Sequence, residues 1–225
     1  EQWLQWADLF MRGQLLTSKP LCDCWGYQDI TMIHTARYAA ATGRWDYFEQ
    51  EPLHQFLRLR FISHGNLGGG VGYGDVGAYG LPAGPDFRER SAENWVKATA
   101  GRLDTGRVDP QELLGVYVHP LEPMWHDYYG ADAAVPRERC FDKITFRDTI
   151  DPDRAYLLLD GLSRGYHGHW DGNSILRFTD NGRVWLCEGD YLKGDPKDHN
   201  TMTFMRNAES ARPGMFSSLG ARLES

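Results

Sequence analysis

The sequence lacks an excess of basic residues, and it also lacks a long apolar run. Its 225 residues include 24 Lys and Arg against 31 Asp and Glu, which gives a formal net charge of −7. Nonspecific nucleic-acid binding is not expected, because the chain has no basic excess with which to displace phosphate counterions. No transmembrane segment is expected either, because no apolar run approaches the roughly 18 residues that cross a bilayer.

Cysteine is scarce, and two common catalytic motifs are absent. The four cysteines, Cys22, Cys24, Cys140 and Cys187, form neither a dense disulfide framework nor a paired C-x-x-C zinc pattern, so buried free thiols are expected. The "GGGVGYG" run at 68–74 lacks the Lys-Ser/Thr ending of a phosphate loop, and no HExxH helix occurs. The chain opens at Glu1 without Met, as expected of a processed product or of a piece of a longer protein.

The hydrophobic pattern changes from a helical to a strand period along the chain. Apolar residues at three- and four-residue steps predict a helix over 1–16, and further helices are predicted over 29–43, 51–61, 91–101 and 109–118. Asp29 suits the N-cap of the second helix and Gly43 its end, while Pro52 lies in the first turn of the third.

From about Cys140, short β-branched or aromatic runs over 142–148, 154–160, 173–179, 182–189 and 200–207 predict strands joined by turns such as "TDNGR". Helices followed by strands indicate an α+β chain of two packed layers or domains. We predict a helical domain over 1–135 and an antiparallel β domain over 136–225, joined near residues 131–140. The glycine-rich segment 63–86 is too long for a simple connector, which favours a functional loop.

The stretch "RGYHGHWDGNS" at 164–174 contains the clearest candidate site. If it is extended, His167, His169 and Asp171 share one face. Glu188 and His199 follow at the ends of later predicted strands. An isolated H-x-H pair is more often a solvated strand face, but two imidazoles and a carboxylate from different strands are what a three-ligand Zn²⁺ site requires.

These residues resemble a known family. The run "GYHGHWDGNSILRFTDNGRVWLCEGDYLKGDPKDHNT" is similar to the C-terminal signature of the heparinase II/III-like polysaccharide lyases, and "CFDKITFRDTIDPDRAYLLLDGL" resembles the strand pair before it. The similarity covers residues 141–206. It implies an incomplete (α/α) toroid followed by an antiparallel β-sandwich, here only in part, and a periplasmic or secreted protein.

The resemblance also implies roles for individual residues. His167 would be catalytic, and His169, Glu188 and His199 would hold a metal, commonly zinc, with a mainly structural role. The acid of the family is usually Asp, so Asp190 is an alternative to Glu188.

The helical half resembles the family more faintly. Gln28 would take the place of a carboxylate-neutralising Asn in a loop before a toroid helix, and Tyr79 that of the catalytic Tyr, with Tyr73 as its alternative. Trp25, Tyr27 and Trp170 flank these positions and are predicted to stack on sugar rings.

The implied function is β-elimination on an acidic, uronate-containing polysaccharide. A noncatalytic carbohydrate-binding relative with a structural metal and a zinc-dependent hydrolase are the alternatives. A second group, His119, Glu122, His126 and Asp127, can suggest another metal site, but we favour an inter-domain loop whose histidines are hydrogen-bonded.

Overall fold

Three of the four described α-helices precede the first described strand, and the fourth follows it. The structure is a computed structural model that describes residues 2–14, 16–18, 25–74, 108–129, 135–163, 168–188, 194–203 and 205–210. Helix α1 spans Gln2–Gln14, α2 spans Trp25–Thr42, α3 spans Glu51–Ile62, and a short α4 spans Pro123–Tyr129. None of the described helices is long and apolar enough to cross a membrane. The predicted helix over 91–101 lies outside the described residues.

The helix ends follow local rules with one exception. Pro52 lies in the first turn of α3, and Gly43 follows α2 with a φ of +74°, where its N–H bonds the carbonyl oxygen of Ala39 at 2.8 Å. The prediction that Asp29 caps α2 is wrong, because the helix begins four residues earlier, at Trp25. No proline between these positions forces the chain out of helical backbone.

The strands form an antiparallel sheet in the order β1-β2-β3-β4-β5. They span Gly115–Pro120, Phe141–Arg147, Tyr156–Asp160, Ile175–Asp180 and Arg183–Cys187. The turn between β4 and β5 is the predicted one, with Asn181 and Gly182 at φ values of 51° and 68°. The α+β class is therefore confirmed.

Two predicted elements are wrong. Residues 109–118 do not form a helix: a 3₁₀ turn over Pro110–Leu113 ends before Gly115, whose φ of +77° interrupts helical backbone, and β1 follows. This strand precedes the predicted boundary near 131–140. The predicted strand over 200–207 is not found over 200–203 either, and among the described residues of that range the pairing is limited to Met205–Arg206 (β6), with Glu209–Ser210 (β7).

The two faces of the five-stranded sheet differ in character. The inner face holds Thr145, Leu158 and Arg177 in one buried cross-strand row, and Tyr117 of β1 packs on the helical core around Phe56. The outer face has an apolar row across all five strands, made of Val116, Phe146, Leu157, Phe178 and Leu186. The polar face of this sheet is thus the covered one.

The C-terminus of α3 is fastened to the sheet by side chains of β2 and β3. Arg147 donates from Nη1 to the carbonyl oxygen of His64 at 2.8 Å and from Nη2 to that of Phe61 at 2.9 Å. The hydroxyl of Tyr156 donates to the carbonyl oxygen of Ile62 at 2.7 Å. These bonds pair the carbonyls that the end of a helix leaves without intrahelical partners, and they join helix and sheet directly.

Other side chains of the described part depart from simple expectation. The predicted apolar face of α1 is exposed, at Trp3, Trp6, Leu9 and Phe10. Cys140 is a buried free thiol, as expected, but the free thiol of Cys187 is exposed at the sheet edge. Cys22 and Cys24 lie outside the described residues.

Candidate functional site

The described part of the histidine loop, residues 168–174, is held near both ends by backbone hydrogen bonds. The Trp170 N–H bonds the carbonyl oxygen of Gly194 at 2.8 Å, and the Asn173 N–H bonds that of Asp160 at 2.9 Å. The predicted extended course is wrong where the loop is described, because Gly168 has a φ of +79° and the segment is not a strand. His167 lies outside the described residues, so its predicted alignment with His169 remains a prediction.

Three side chains from separate segments meet beside this loop. His169 comes from the loop itself, Glu188 directly follows β5, and His199 directly follows a 3₁₀ turn over Pro196–Asp198. His199 Nδ1–H donates to Glu188 Oε1 at 2.6 Å, and the rings of His169 and His199 lie edge to face with centroids 5.7 Å apart. Both side chains of the hydrogen-bonded pair are buried, as is His169.

Asn200 holds the cluster in place. Its N–H donates to Glu188 Oε2 at 3.3 Å, and its Nδ2 donates to the carbonyl oxygens of Ile175 and Cys187 at 3.2 and 3.0 Å. The Ile175 N–H in turn bonds the carbonyl oxygen of Asn200 at 3.0 Å. One side chain thus links the ends of β4 and β5 to the histidine segment. Sequence reasoning missed this residue, although the "HNT" run that contains it was part of the resemblance.

The residue types of the cluster suit a metal ion, but the side chains are not arranged around a common point where an ion could bind. Among the described residues, no group of three or more His, Cys, Asp or Glu side chains is arranged to hold a metal ion. Here Glu188 Oε1 accepts a hydrogen bond from His199. Two imidazoles and a carboxylate are nevertheless a zinc donor set. Within the described part of the chain, Nε2 of His199 is buried without a hydrogen-bond partner, so its lone pair is available to a ligand.

The other predicted site residues are placed less completely. Trp25, Tyr27 and Gln28 lie in the first turns of α2, where only the backbone is described, so Gln28 belongs to the helix and not to a loop before it. Trp170 is half-buried beside His169. Tyr79 and Asp190 lie outside the described residues.

Tyr73, the alternative to Tyr79, is a core side chain. It is 1% exposed and packs with Val71, Tyr156 and Leu158, while Nζ of Lys143 lies 4.4 Å from its ring centroid. A polymeric substrate cannot reach a ring buried to this extent. Tyr73 is therefore a packing residue in the described part of the chain, and the assignment of the catalytic Tyr to Tyr79 remains a prediction.

The second histidine group serves the fold. Glu122 accepts from the Thr17 hydroxyl at 2.5 Å and from the Ser18 N–H at 2.8 Å. His126 Nε2 lies 3.2 Å from the carbonyl oxygen of Val135, and His119 is buried on β1. Asp127 is exposed at the surface of α4. The contact of His126 agrees with a hydrogen-bonded histidine, and the segment includes a helix and not only a loop.

A buried cation lies next to the cluster. Arg177 of β4 pairs in register with Cys187, the residue before Glu188, and is almost fully buried. Burial lowers the pKa of Arg177, because the charged guanidinium is poorly solvated there.

Comparison of the chain with protein-family models, with curated proteins and with solved structures finds no match.

Proposed function

We propose that the chain is part of a polysaccharide lyase that cleaves an acidic, uronate-containing polysaccharide by β-elimination. The observation that carries the proposal is the meeting of His169, Glu188 and His199 in one buried cluster. The resemblance to heparinase II/III-like lyases selected the same three residues. We also propose that the helices belong to an (α/α) toroid segment and the sheet to a β-sandwich. The α-helices and the antiparallel sheet of the structure are compatible with this architecture. A periplasmic or secreted location follows from the same resemblance.

The elimination needs residues that acidify the C5 proton of the uronate. The C5 proton is only weakly acidic while the neighbouring carboxylate is ionised. Gln28 and His167 would donate hydrogen bonds to the carboxylate and stabilise the developing negative charge. Tyr79 would take the C5 proton or protonate O4 as the C4–O4 bond breaks, and a C4–C5 double bond forms. His167 would serve as the second acid or base, depending on the C5 epimer.

The metal would have a structural role. His169, Glu188 and His199 would hold Zn²⁺, with Asp190 as the alternative carboxylate ligand. Held by these residues, an ion would link three segments of the sheet half and would help to fix the loop that contains His167. In the structure Glu188 accepts a hydrogen bond from His199 Nδ1–H, and this bond would have to break before Glu188 could join His199 Nε2 on one ion.

A product assay tests the proposal. The full-length protein is incubated with alginate, heparan sulfate, chondroitin and ulvan, and the ultraviolet absorbance of the unsaturated uronate is followed. Tyr79→Phe and His167→Ala should lose turnover. Tyr38→Phe and His34→Ala, placed on α2, are the matched controls and should keep it.

The assay also separates the alternatives. Saccharide binding without turnover, unchanged in Tyr79→Phe, would indicate a noncatalytic binding protein. Products without a double bond, formed only while zinc is present, would indicate a zinc-dependent hydrolase. No unsaturated product from any of the four polysaccharides would refute the lyase.

A further inference from the structure

Helix α1 presents an apolar stripe to solvent. Trp3, Trp6 and Phe10 follow the i, i+3, i+7 spacing of one helix face, and they are 86%, 60% and 58% exposed. Leu9 and Leu16 border this row and are exposed as well. A surface helix normally turns its apolar side to the core, so the stripe of α1 needs a covering partner.

The charged residues of α1 lie off this stripe. They are Asp8 and Arg12, and Arg12 Nε donates to the Asp8 carboxylate at 3.1 Å. Asp8 also accepts a hydrogen bond from the Tyr38 hydroxyl at 2.9 Å, which fixes this side of the helix to α2. Met11 lies on the same inner side and is buried. The stripe itself therefore contains no charge that a partner would have to desolvate.

The exposed area of the stripe suits a pair of such helices. A large aromatic side chain offers about 150–250 Å², so the three rings leave roughly 400 Å² uncovered. The two leucines bring the stripe to roughly 500–600 Å², and apolar patches of that size are often binding surfaces. Two stripes packed face to face would cover about 1,000–1,200 Å², which reaches the lower limit for a specific interface.

The order of residues along the stripe is complementary to itself. Gly13 lies seven residues after Trp6, on the same line of the helix, and a Cβ added at Gly13 would meet nothing within 4 Å. In an antiparallel pair related by a two-fold axis, the Trp6 ring of each copy can lie over Gly13 of the other. The axis then passes between Leu9 and Phe10, and the two Leu9 side chains meet beside it.

We propose that the stripe of α1 is a homodimer interface, formed by antiparallel packing of α1 against α1 of a second copy. A second copy is favoured because one surface supplies both the large side chain and the gap that receives it. An anionic membrane surface is disfavoured, because Arg12, the one cation of α1, is paired with Asp8 and the formal net charge of the chain is −7. The dimer does not depend on the proposed lyase activity.

Sedimentation equilibrium of the full-length protein between about 1 and 100 μM tests the proposal. Leu9→Lys puts a charge into the stripe. Leu4→Lys is the matched control, because Leu4 is 62% exposed like Leu9 but lies on the line of the buried Met11, seven residues away. The unaltered protein and Leu4→Lys should reach twice the mass of one chain, whereas Leu9→Lys should raise the dimer Kd roughly thirtyfold or more.

A second variant separates loss of the dimer from loss of the fold. Gly13→Leu should weaken the dimer as well, because it fills the gap that receives Trp6. It should keep or raise the Tm of the monomer, since the new side chain enters open space and Leu favours a helix more than Gly does.

Crosslinking with a short bismaleimide tests the direction of the pair. Leu9→Cys should give crosslinked dimers above the background of the unaltered protein, which has four cysteines. Gln2→Cys should not, because the two copies of that position lie about 20 Å apart in an antiparallel pair. Crosslinking through Gln2→Cys would mean a parallel pair and would overturn the proposal. A protein that stays monomeric at the highest concentration, a dimer that Leu9→Lys leaves intact, or a monomer whose stripe binds anionic lipid vesicles would overturn it too.

Discussion

Replacing Arg147 by Met should be among the most destabilising changes in the described part of the chain. The guanidinium makes two hydrogen bonds to carbonyls at the end of α3, and its Cζ lies 4.5 Å from the ring centroid of Phe61 and 5.3 Å from that of Tyr156. Hydrogen bonds from a charged donor contribute about 1.5–3 kcal/mol each, and a desolvated cation–π contact adds roughly 1–2 kcal/mol. Because Met keeps part of the apolar burial, we expect a loss of about 3–5 kcal/mol in the free energy of unfolding.

The measurement is urea denaturation, followed by far-ultraviolet circular dichroism and by tryptophan fluorescence. Tyr156→Phe removes a single neutral hydrogen bond and should cost about 1–3 kcal/mol, since the Ile62 carbonyl is left unpaired. Arg154→Met, at an exposed ion pair, should change stability by less than about 1 kcal/mol. A loss below about 1 kcal/mol for Arg147→Met would mean that the end of α3 does not depend on the sheet.

Three further predictions concern the cluster, the thiols and the first helix. His199→Ala and Glu188→Ala should each lower zinc affinity about 10- to 100-fold in competition with a chromogenic chelator, and wild-type affinity in both would contradict the ligand assignment. In the native protein, peptide mapping after alkylation should find Cys187 modified before Cys140, because Cys140 is buried and burial raises the pKa of its thiol. Equal labelling of the two thiols would contradict this prediction. The Tyr38 hydroxyl, with Arg44 and Arg12, holds the pKa of Asp8 below its ordinary value. The ionised Asp8 therefore stabilises the folded chain fully at pH values above the ordinary pKa, and this stabilisation is lost as the pH falls through the lowered pKa. Asp8→Asn should therefore be less stable than the unaltered chain in urea at neutral pH, and the difference should shrink as the pH falls below the ordinary carboxyl pKa. A difference that stays constant on acidification would argue against this linkage.

Short-range sequence signals predicted the helix and hairpin ends that depend on the backbone preferences of single residues. Gly43 ends α2 and Asn181-Gly182 turns the β4–β5 hairpin because positive φ is available to those residue types. Strand β1 was missed because "PQELL" precedes it and favours a helix. Val116, Tyr117 and Val118 become a strand through pairing with β2, a partner that a sequence window around β1 does not contain.

The sequence indicated which residues could form the candidate site, but it did not indicate which residues hold them in place. The resemblance selected His169, Glu188 and His199, and the structure brings them together. Nothing in the local sequence marks Asn200 as the residue that joins β4 to β5, or Lys143 as the buried ion-pair partner of Asp160 on the neighbouring strand. Both functions exist only after distant segments have come together, because the partners lie on other strands.

The apolar row on the outer face bears on the order in which the molecule unfolds. It crosses all five strands, so neighbouring strands stay in contact through side chains that do not depend on the helices. The attachment of α3 depends instead on the hydrogen bonds that Arg147 and Tyr156 donate to the carbonyls at its end. Moderate urea should therefore release this helix before the strands separate, and a protease added under those conditions should cut α3 before the sheet.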